Sequence, residues 1–154
     1  MWFGEISLID QQPRSHDAIA LKKSIVLQIP AQPLNAFLLQ NPYYWYYFAL
    51  LTSQKLRYVF LEQIAIQTQS ISQRLAQRLL FILEGYGNRS SIQDFNIQIS
   101  QDQLANMLTI SRQTVNQELN VFEKQGIIQL GFKKIEVLDL EKLKKLAIVG
   151  YLKE

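Results

Sequence analysis

The segment Ser100-Gln-Asp-Gln-Leu-Ala-Asn-Met-Leu-Thr-Ile-Ser-Arg-Gln-Thr-Val-Asn-Gln-Glu-Leu-Asn120 constrains the fold most. Its apolar residues fall only where two short helices, broken by a tight turn, must touch. Leu104, Ala105 and Leu108 share one face of the first helix, and Val115, Leu119 and Phe122 share one face of the second. Small Ala105 lets the second helix cross closely. The outward face of that helix carries Ser111, Arg112, Gln113, Thr114, Asn116 and Gln117, hydrogen-bonding side chains rather than a Glu/Lys mixture. A helix that enters a DNA major groove needs this combination.

The residues around the pair complete a pattern. Ser72 is read as the cap of a helix from Gln73 to Glu84, which buries Leu75, Leu79, Ile82 and Leu83 and ends at Gly85-Tyr-Gly87-Asn88. Asn96-Ile-Gln-Ile-Ser100 alternates like a short strand. Gly126 terminates the second helix of the pair. Ile127–Leu130 and Lys134–Leu138 predict a hairpin around Gly131-Phe-Lys133, and Asp139 caps a last helix containing Leu140, Leu143 and Leu146. Helix, helix-turn-helix and hairpin together predict a winged helix-turn-helix.

Upstream, no proline or glycine interrupts the chain from Tyr43 to Glu84. Residues 42 to about 68 predict a helical rod of roughly 40 Å at 1.5 Å per residue. Trp45, Ala49, Thr52, Leu56, Val59, Gln63 and Ile66 form a seam repeating every seven residues. Tyr47, Leu51, Gln54, Tyr58, Leu61 and Ala65 form a neighbouring column. Two apolar columns require two partners, one within the chain and one, as expected here, a second copy of the helix. Polar Gln67-Thr-Gln-Ser-Ile-Ser72 is the candidate hinge. Residues 1 to about 30 read as β structure, with strands at His16–Leu21 and Ser24–Ile29 and a turn at Lys22-Lys23. Pro33 suits the first turn of a short helix through Gln40, and Asn41-Pro42 opens the long one.

The expected organisation is therefore α+β: residues 1–41, a dimerisation helix over 42–69, and a winged helix-turn-helix over 70–154. Composition narrows the function classes. The 154 residues contain no cysteine, which excludes disulfides, thiolate metal sites and cysteine-held clusters. No metal site and no certain cofactor is expected. One histidine, no Gly-rich phosphate loop and no paired carboxylates leave an enzyme without support. The longest apolar run, Tyr43–Leu51, is too short to span a bilayer, and no signal peptide opens the chain, so a cytoplasmic address without membrane contact is the default. The net charge of +3 divides as +1 before Ser70 and +2 from there on, which permits a nucleic-acid partner without requiring one.

These residues resemble the cyclic-AMP receptor protein/FNR (CRP/FNR) family of bacterial transcription regulators. Ile110-Ser-Arg-Gln-Thr-Val-Asn-Gln-Glu-Leu119 is similar to the family's recognition-helix pattern. Trp2-Phe-Gly-Glu-Ile-Ser-Leu-Ile-Asp10, followed by Gln12-Pro-Arg-Ser15, resembles its phosphate-binding cassette. The order of cassette, strands, short helix, long helix and winged helix also matches, so the resemblance covers nearly the whole chain. It implies a partial cyclic-nucleotide-binding-type β-roll, with the strands of its first half missing from this chain.

The resemblance also implies roles. Arg112 is expected to address a guanine edge, with Gln113 and Gln117 on the same groove-facing side and glutamine suited to adenine. The family more often has Glu and Arg at those two positions, so an altered half-site is expected. Ser100, Ser111 and Thr114 suit phosphates, and Lys133 or Lys134 adds wing charge. Thr109 stands in the turn where the family prefers glycine, which strains it. In the cassette, Glu5 is expected to accept from a ribose hydroxyl and Arg14 to pair with a cyclic phosphate, with Gly4 and Ser15 making close contacts. The family's adenine-reading pair aligns with Val59 and Phe60, which cannot hydrogen-bond, so no tight cyclic-AMP binding is expected. His16 is read as a surface or packing residue. The implied partners are double-stranded DNA, a second copy of the chain and, as a candidate, RNA polymerase. The competing reading is a truncated protein that dimerises without specific DNA binding.

Overall fold

The computed structural model describes residues 2–20, 23–86, 92 and 94–147. The elements in order are α1 (Glu5–Asp10), α2 (Ala31–Gln40), α3 (Tyr44–Thr68), α4 (Ile71–Leu83), β1 (Asn96–Gln98), α5 (Gln101–Leu108), α6 (Arg112–Lys124), β2 (Ile128–Gly131), β3 (Lys134–Val137) and α7 (Leu140–Leu146). The chain forms two compact units, residues 1–57 and 58–154, so their boundary falls within α3. Among the described residues no helix is long and apolar enough to cross a membrane.

In the first unit, α1 is a short helix where the residue pattern predicts β structure. Gly4, at φ 93°, turns the chain into it, and Glu5 and Leu8 are its buried residues. Neither expected strand forms among the described residues, and Leu21 and Lys22 lie outside them. Ile25, Val26 and Leu27 are 102%, 63% and 87% exposed. Alternation supplies a face, but a strand also needs a neighbour's N–H and C=O groups, and no described strand offers them here. α2 and α3 form as expected. Asn41 closes α2, its backbone N–H and its side-chain Nδ2 both donating to the Phe37 carbonyl at 2.9 Å. Leu38 is fully buried, and Trp2 meets Phe48 edge-on at 5.4 Å.

The second unit owns the larger core. α4, α5 and α6 contribute Leu75, Leu79, Leu83, Leu104, Leu108, Val115, Leu119 and Phe122, all nearly inaccessible. Ile97, Ile128, Ile135 and Val137 of the sheet and Leu143 of α7 close it. Burying each such side chain contributes about 1.5–3 kcal/mol. The sheet is antiparallel in the order β1-β3-β2, with Ile97 opposite Ile135 and Ile128 opposite Val137. The hairpin and the last helix sit where the residue pattern puts them, with Asp139 Oδ1 accepting from the Lys142 N–H at 2.9 Å. Asp139 is held below the usual carboxylate range, chiefly by that backbone N–H.

One helix start moves. Ser70, not Ser72, caps α4: its Oγ accepts from Gln73 N–H at 3.3 Å, and Gln73 Oε1 accepts from Ser70 N–H at 2.9 Å. A reciprocal capping box needs Glu or Gln three residues after the cap. Ser70 has Gln73 there, whereas Ser72 has Leu75.

The two columns of α3 differ in exposure. Within the second unit, Tyr58 packs edge-on against Phe81 at 4.6 Å, and Ala65 is buried. The seam column is more open: Leu56, Val59 and Ile66 are 49%, 60% and 59% exposed, Ala49 and Gln63 are exposed, and only Trp45 and Thr52 are half-buried.

Candidate nucleic-acid interface

Two caps and one strained residue place the outer face of α6. Ser100 Oγ accepts from Gln103 N–H at 3.2 Å and Gln103 Oε1 accepts from Ser100 N–H at 2.8 Å, so α5 starts on a second capping box. α5 stops at Thr109, which takes φ 56° and ψ 46°. That left-handed conformation is unfavourable for a β-branched residue by about 1–2 kcal/mol relative to glycine. Two residues later Ser111 caps α6, its Oγ accepting from Thr114 N–H at 3.0 Å and lying 2.8 Å from Thr114 Oγ1. Only three residues, Thr109 to Ser111, separate the two helices and leave the chain no freedom to lengthen the turn, and Leu104, Ala105 and Leu108 seat against Val115 and Leu119 in one core.

With its inner face buried, α6 presents Arg112, Gln113, Asn116 and Gln117 outward, all exposed. With Gln101 of α5 they line a shallow depression of about 480 Å³. Beside it, a cleft of about 340 Å³ separates α6 from the β2–β3 wing, lined among others by Arg112, Asn116, Phe132, Lys133 and Lys134. Phe132 at the wing tip is 91% exposed, with Lys133 Nζ 5.5 Å from its ring centre. Lys134 pairs with Glu136 at 3.1 Å, so Lys133 is the freer wing charge. Glu123 Oε1 accepts from Leu130 N–H at 2.7 Å and ties the wing to α6.

The nine residues expected at the DNA face thus lie in one unit, on α5's cap, α6 and the wing. Ser100 and Ser111 are committed to capping and Thr114 Oγ1 bonds Ser111 Oγ, which leaves the Ser100 hydroxyl hydrogen and one from the Ser111–Thr114 pair for a ligand. Two residues escaped the sequence reading, Gln101 and Asp102. Gln101 Oε1 accepts from Asn116 Nδ2 at 3.0 Å, and Asp102 Oδ1 lies 3.6 Å from Arg112 Nε. Their signal was position: they are the two polar residues directly after the Ser100 cap, where α5 starts beside α6.

The cassette residues also come together. Gly4, Glu5, Arg14 and Ser15, with His16, border a cavity of about 20 Å³. A Cβ on Gly4 would meet the Arg14 guanidinium at 3.9 Å, and Gly4's φ of 93° disfavours any side chain. Ser15 Oγ bonds His16 Nδ1 at 2.9 Å. Glu5 is 2% exposed and its Oε1 pairs with Lys55 Nζ at 2.8 Å, while that ammonium also donates to the Trp2 carbonyl at 2.7 Å. Glu5 Oε2 has no hydrogen-bond partner among the described residues. Lys55 was invisible to motif reading because it stands fifty residues away. A larger hollow of about 430 Å³ shares Phe3 and Arg14 with that cavity and is otherwise lined by Trp2 and residues 25–29. Val59 and Phe60, 60% and 58% exposed, carry no polar side-chain atom.

Known proteins resemble the chain along most of its length. The Crp-like helix-turn-helix domain matches residues 73–146, and the cyclic nucleotide-binding domain matches residues 1–41. The "Cyclic AMP receptor protein" of Thermus thermophilus is 29% identical over 146 residues, covering 94% of this chain and 64% of that protein. A "CRP-like cAMP-activated global transcriptional regulator" of Mycobacterium tuberculosis is 23% identical over 146 residues, covering 94% and 65%. The chain therefore spans just under two thirds of these relatives' length. Among solved structures, a CRP/FNR-family transcriptional regulator from Thermus thermophilus superposes with a TM-score of 0.54 at 28% identity, over 64% of this chain and 51% of that one. A CooA variant from Carboxydothermus hydrogenoformans superposes with a TM-score of 0.60 over 76% and 55%, at 21% identity, and so speaks to the fold alone. With both domain types matched in chain order, and with the helix-turn-helix and wing built as described, the chain has the domain pair and order of CRP/FNR-family transcription regulators.

Proposed function

We propose that the chain binds double-stranded DNA in a sequence-specific manner, as a homodimer on a palindromic site. The observation that carries this reading is the outer face of α6. Four exposed hydrogen-bonding side chains, Arg112, Gln113, Asn116 and Gln117, project from a helix whose other face is locked in the core. Arg112 suits the O6/N7 edge of guanine, and the glutamines suit adenine. Residues 42–69 serve as the dimerisation helix, and two copies of the 70–154 domain then address half-sites about 34 Å apart, one turn of DNA.

The relatives' names point to cyclic AMP as an effector. For this chain we propose no tight binding, since the Glu5 carboxylate is buried against Lys55. Calorimetry with cyclic AMP is expected to show no heat of micromolar binding, and a saturable micromolar isotherm would overturn that. Selecting duplexes from a random pool and measuring binding of Arg112→Ala tests the main proposal. An affinity loss of about tenfold or more on the selected site is expected, the worth of a bidentate base contact. Unchanged affinity and preference would favour a dimerising protein without specific DNA binding.

A further inference from the structure

Asp102, the second residue of α5, faces Arg112, the first residue of α6, with Oδ1 3.6 Å from Nε. The two side chains are 64% and 67% exposed, so neither is placed there by the need to fill a core. The separation is too long for a hydrogen bond and short enough for an ion pair. Asp102 also sits in the first turn of its helix, where a carboxylate complements the helix dipole.

The atom it approaches matters. Pairing at Nε leaves the four N–H groups of the two terminal nitrogens free. Those nitrogens form the fork that meets guanine O6 and N7 end-on. A carboxylate beside an arginine also opposes the other use of that cation. A DNA phosphate approaching Arg112 meets Asp102's charge too, whereas the uncharged base edge does not. The same turn of α5 restrains the neighbouring reader, since Gln101 holds Asn116 at 3.0 Å and Asn116 in turn accepts from Asn120 Nδ2 at 2.6 Å.

We propose that Asp102 is a positioning residue for base readout, holding Arg112 with its terminal fork available to guanine and disfavouring its use on phosphates. The inference deepens the DNA-binding reading and rests on it. Its consequence is that specificity and affinity move in opposite directions when the carboxylate is lost, a signature that a residue serving only stability does not produce.

The test uses the full chain, a duplex selected from a random pool, its single base-pair variants, and a random-sequence duplex. Arg112→Ala first identifies the base pair whose exchange the protein no longer senses. At that pair, Asp102→Asn is expected to lower discrimination about two- to fivefold, the range of an exposed ion pair. Binding to the random duplex is expected to tighten, with its log–log salt slope steeper by about 0.9, one added phosphate contact. Asp102→Glu, which keeps the carboxylate, should restore most of the discrimination. In the Arg112→Ala background, Asp102→Asn should leave discrimination at that pair unchanged. If Asp102→Asn scales matched and exchanged duplexes by one factor while Arg112→Ala abolishes discrimination, the positioning role is wrong and the DNA-binding reading stands. If Arg112→Ala alters discrimination nowhere, both fall together.

Discussion

Glu5 and Lys55, fifty residues apart in the chain, form an ion pair at 2.8 Å in which the carboxylate side chain is only 3% exposed and the ammonium 26%. Lys55 also holds the Trp2 carbonyl at 2.7 Å, so one cation closes α1 and its approach onto α3. Removing the cation strands a buried charge, which is costlier than removing both partners. Lys55→Met is therefore expected to destabilise the first unit by about 3 kcal/mol, and adding Glu5→Gln should recover much of the loss. Urea unfolding of the single and double variants measures this, and equal losses for both would refute the coupling.

Thr109 offers the opposite sign. Its φ of 56° places a β-branched residue in the left-handed region, and its side chain is exposed. Thr109→Gly relieves the strain at some expense in unfolded-chain entropy, for a net gain of about 0.5–1 kcal/mol. A variant less stable than the parent in thermal unfolding would show that the turn is not strained.

Tyr58 predicts an alkaline dependence. Burial first, then the Glu84 carboxylate and the hydrogen bond to it at 3.3 Å, push its hydroxyl up to about 12 from an ordinary 10. The fold thus favours the neutral phenol. Its contribution is fully present below pH 10 and is lost as pH rises through about 12. The stability difference between the parent and Tyr58→Phe should hold steady to about pH 10 and shrink beyond it. A difference that grows above pH 10 contradicts the shift.

The seam of α3 predicts the assembly. Val59 and Ile66 are 60% and 59% exposed on a column spaced for a second helix. Val59→Glu with Ile66→Glu should leave each copy folded, because neither residue fills a core. In a dimer it buries like charges, and about a hundredfold weaker self-association is expected. Sedimentation equilibrium decides, and an unchanged dimer would relocate the interface.

Much of this was legible in the residues because it is local. Helical spacing alone identifies Leu104, Ala105 and Leu108 against Val115, Leu119 and Phe122, and every one of them is buried. Capping chemistry reaches three residues, so Asp139 was read directly as a cap, while the caps at Ser100 and Ser111, expected as phosphate contacts, and the Ser70 box with Gln73 were there to be read. The strands expected at His16–Leu21 and Ser24–Ile29 were less legible. Alternation reports a face, while strand formation depends on a partner that a local pattern does not specify.

The sequence by itself determined the winged helix-turn-helix, the long uninterrupted α3 and the identity of the side chains on α6's outer face, since periodicity, caps and breakers act within a few residues. Tertiary structure alone decided what those side chains touch. It brought Lys55 to Glu5 across fifty residues, Gln101 to Asn116 across fifteen, and Asp102 to Arg112 across the turn. Such pairs depend on how two helices cross and how their first turns meet, and that geometry is set by the packing of the core beneath them rather than by any spacing along the chain.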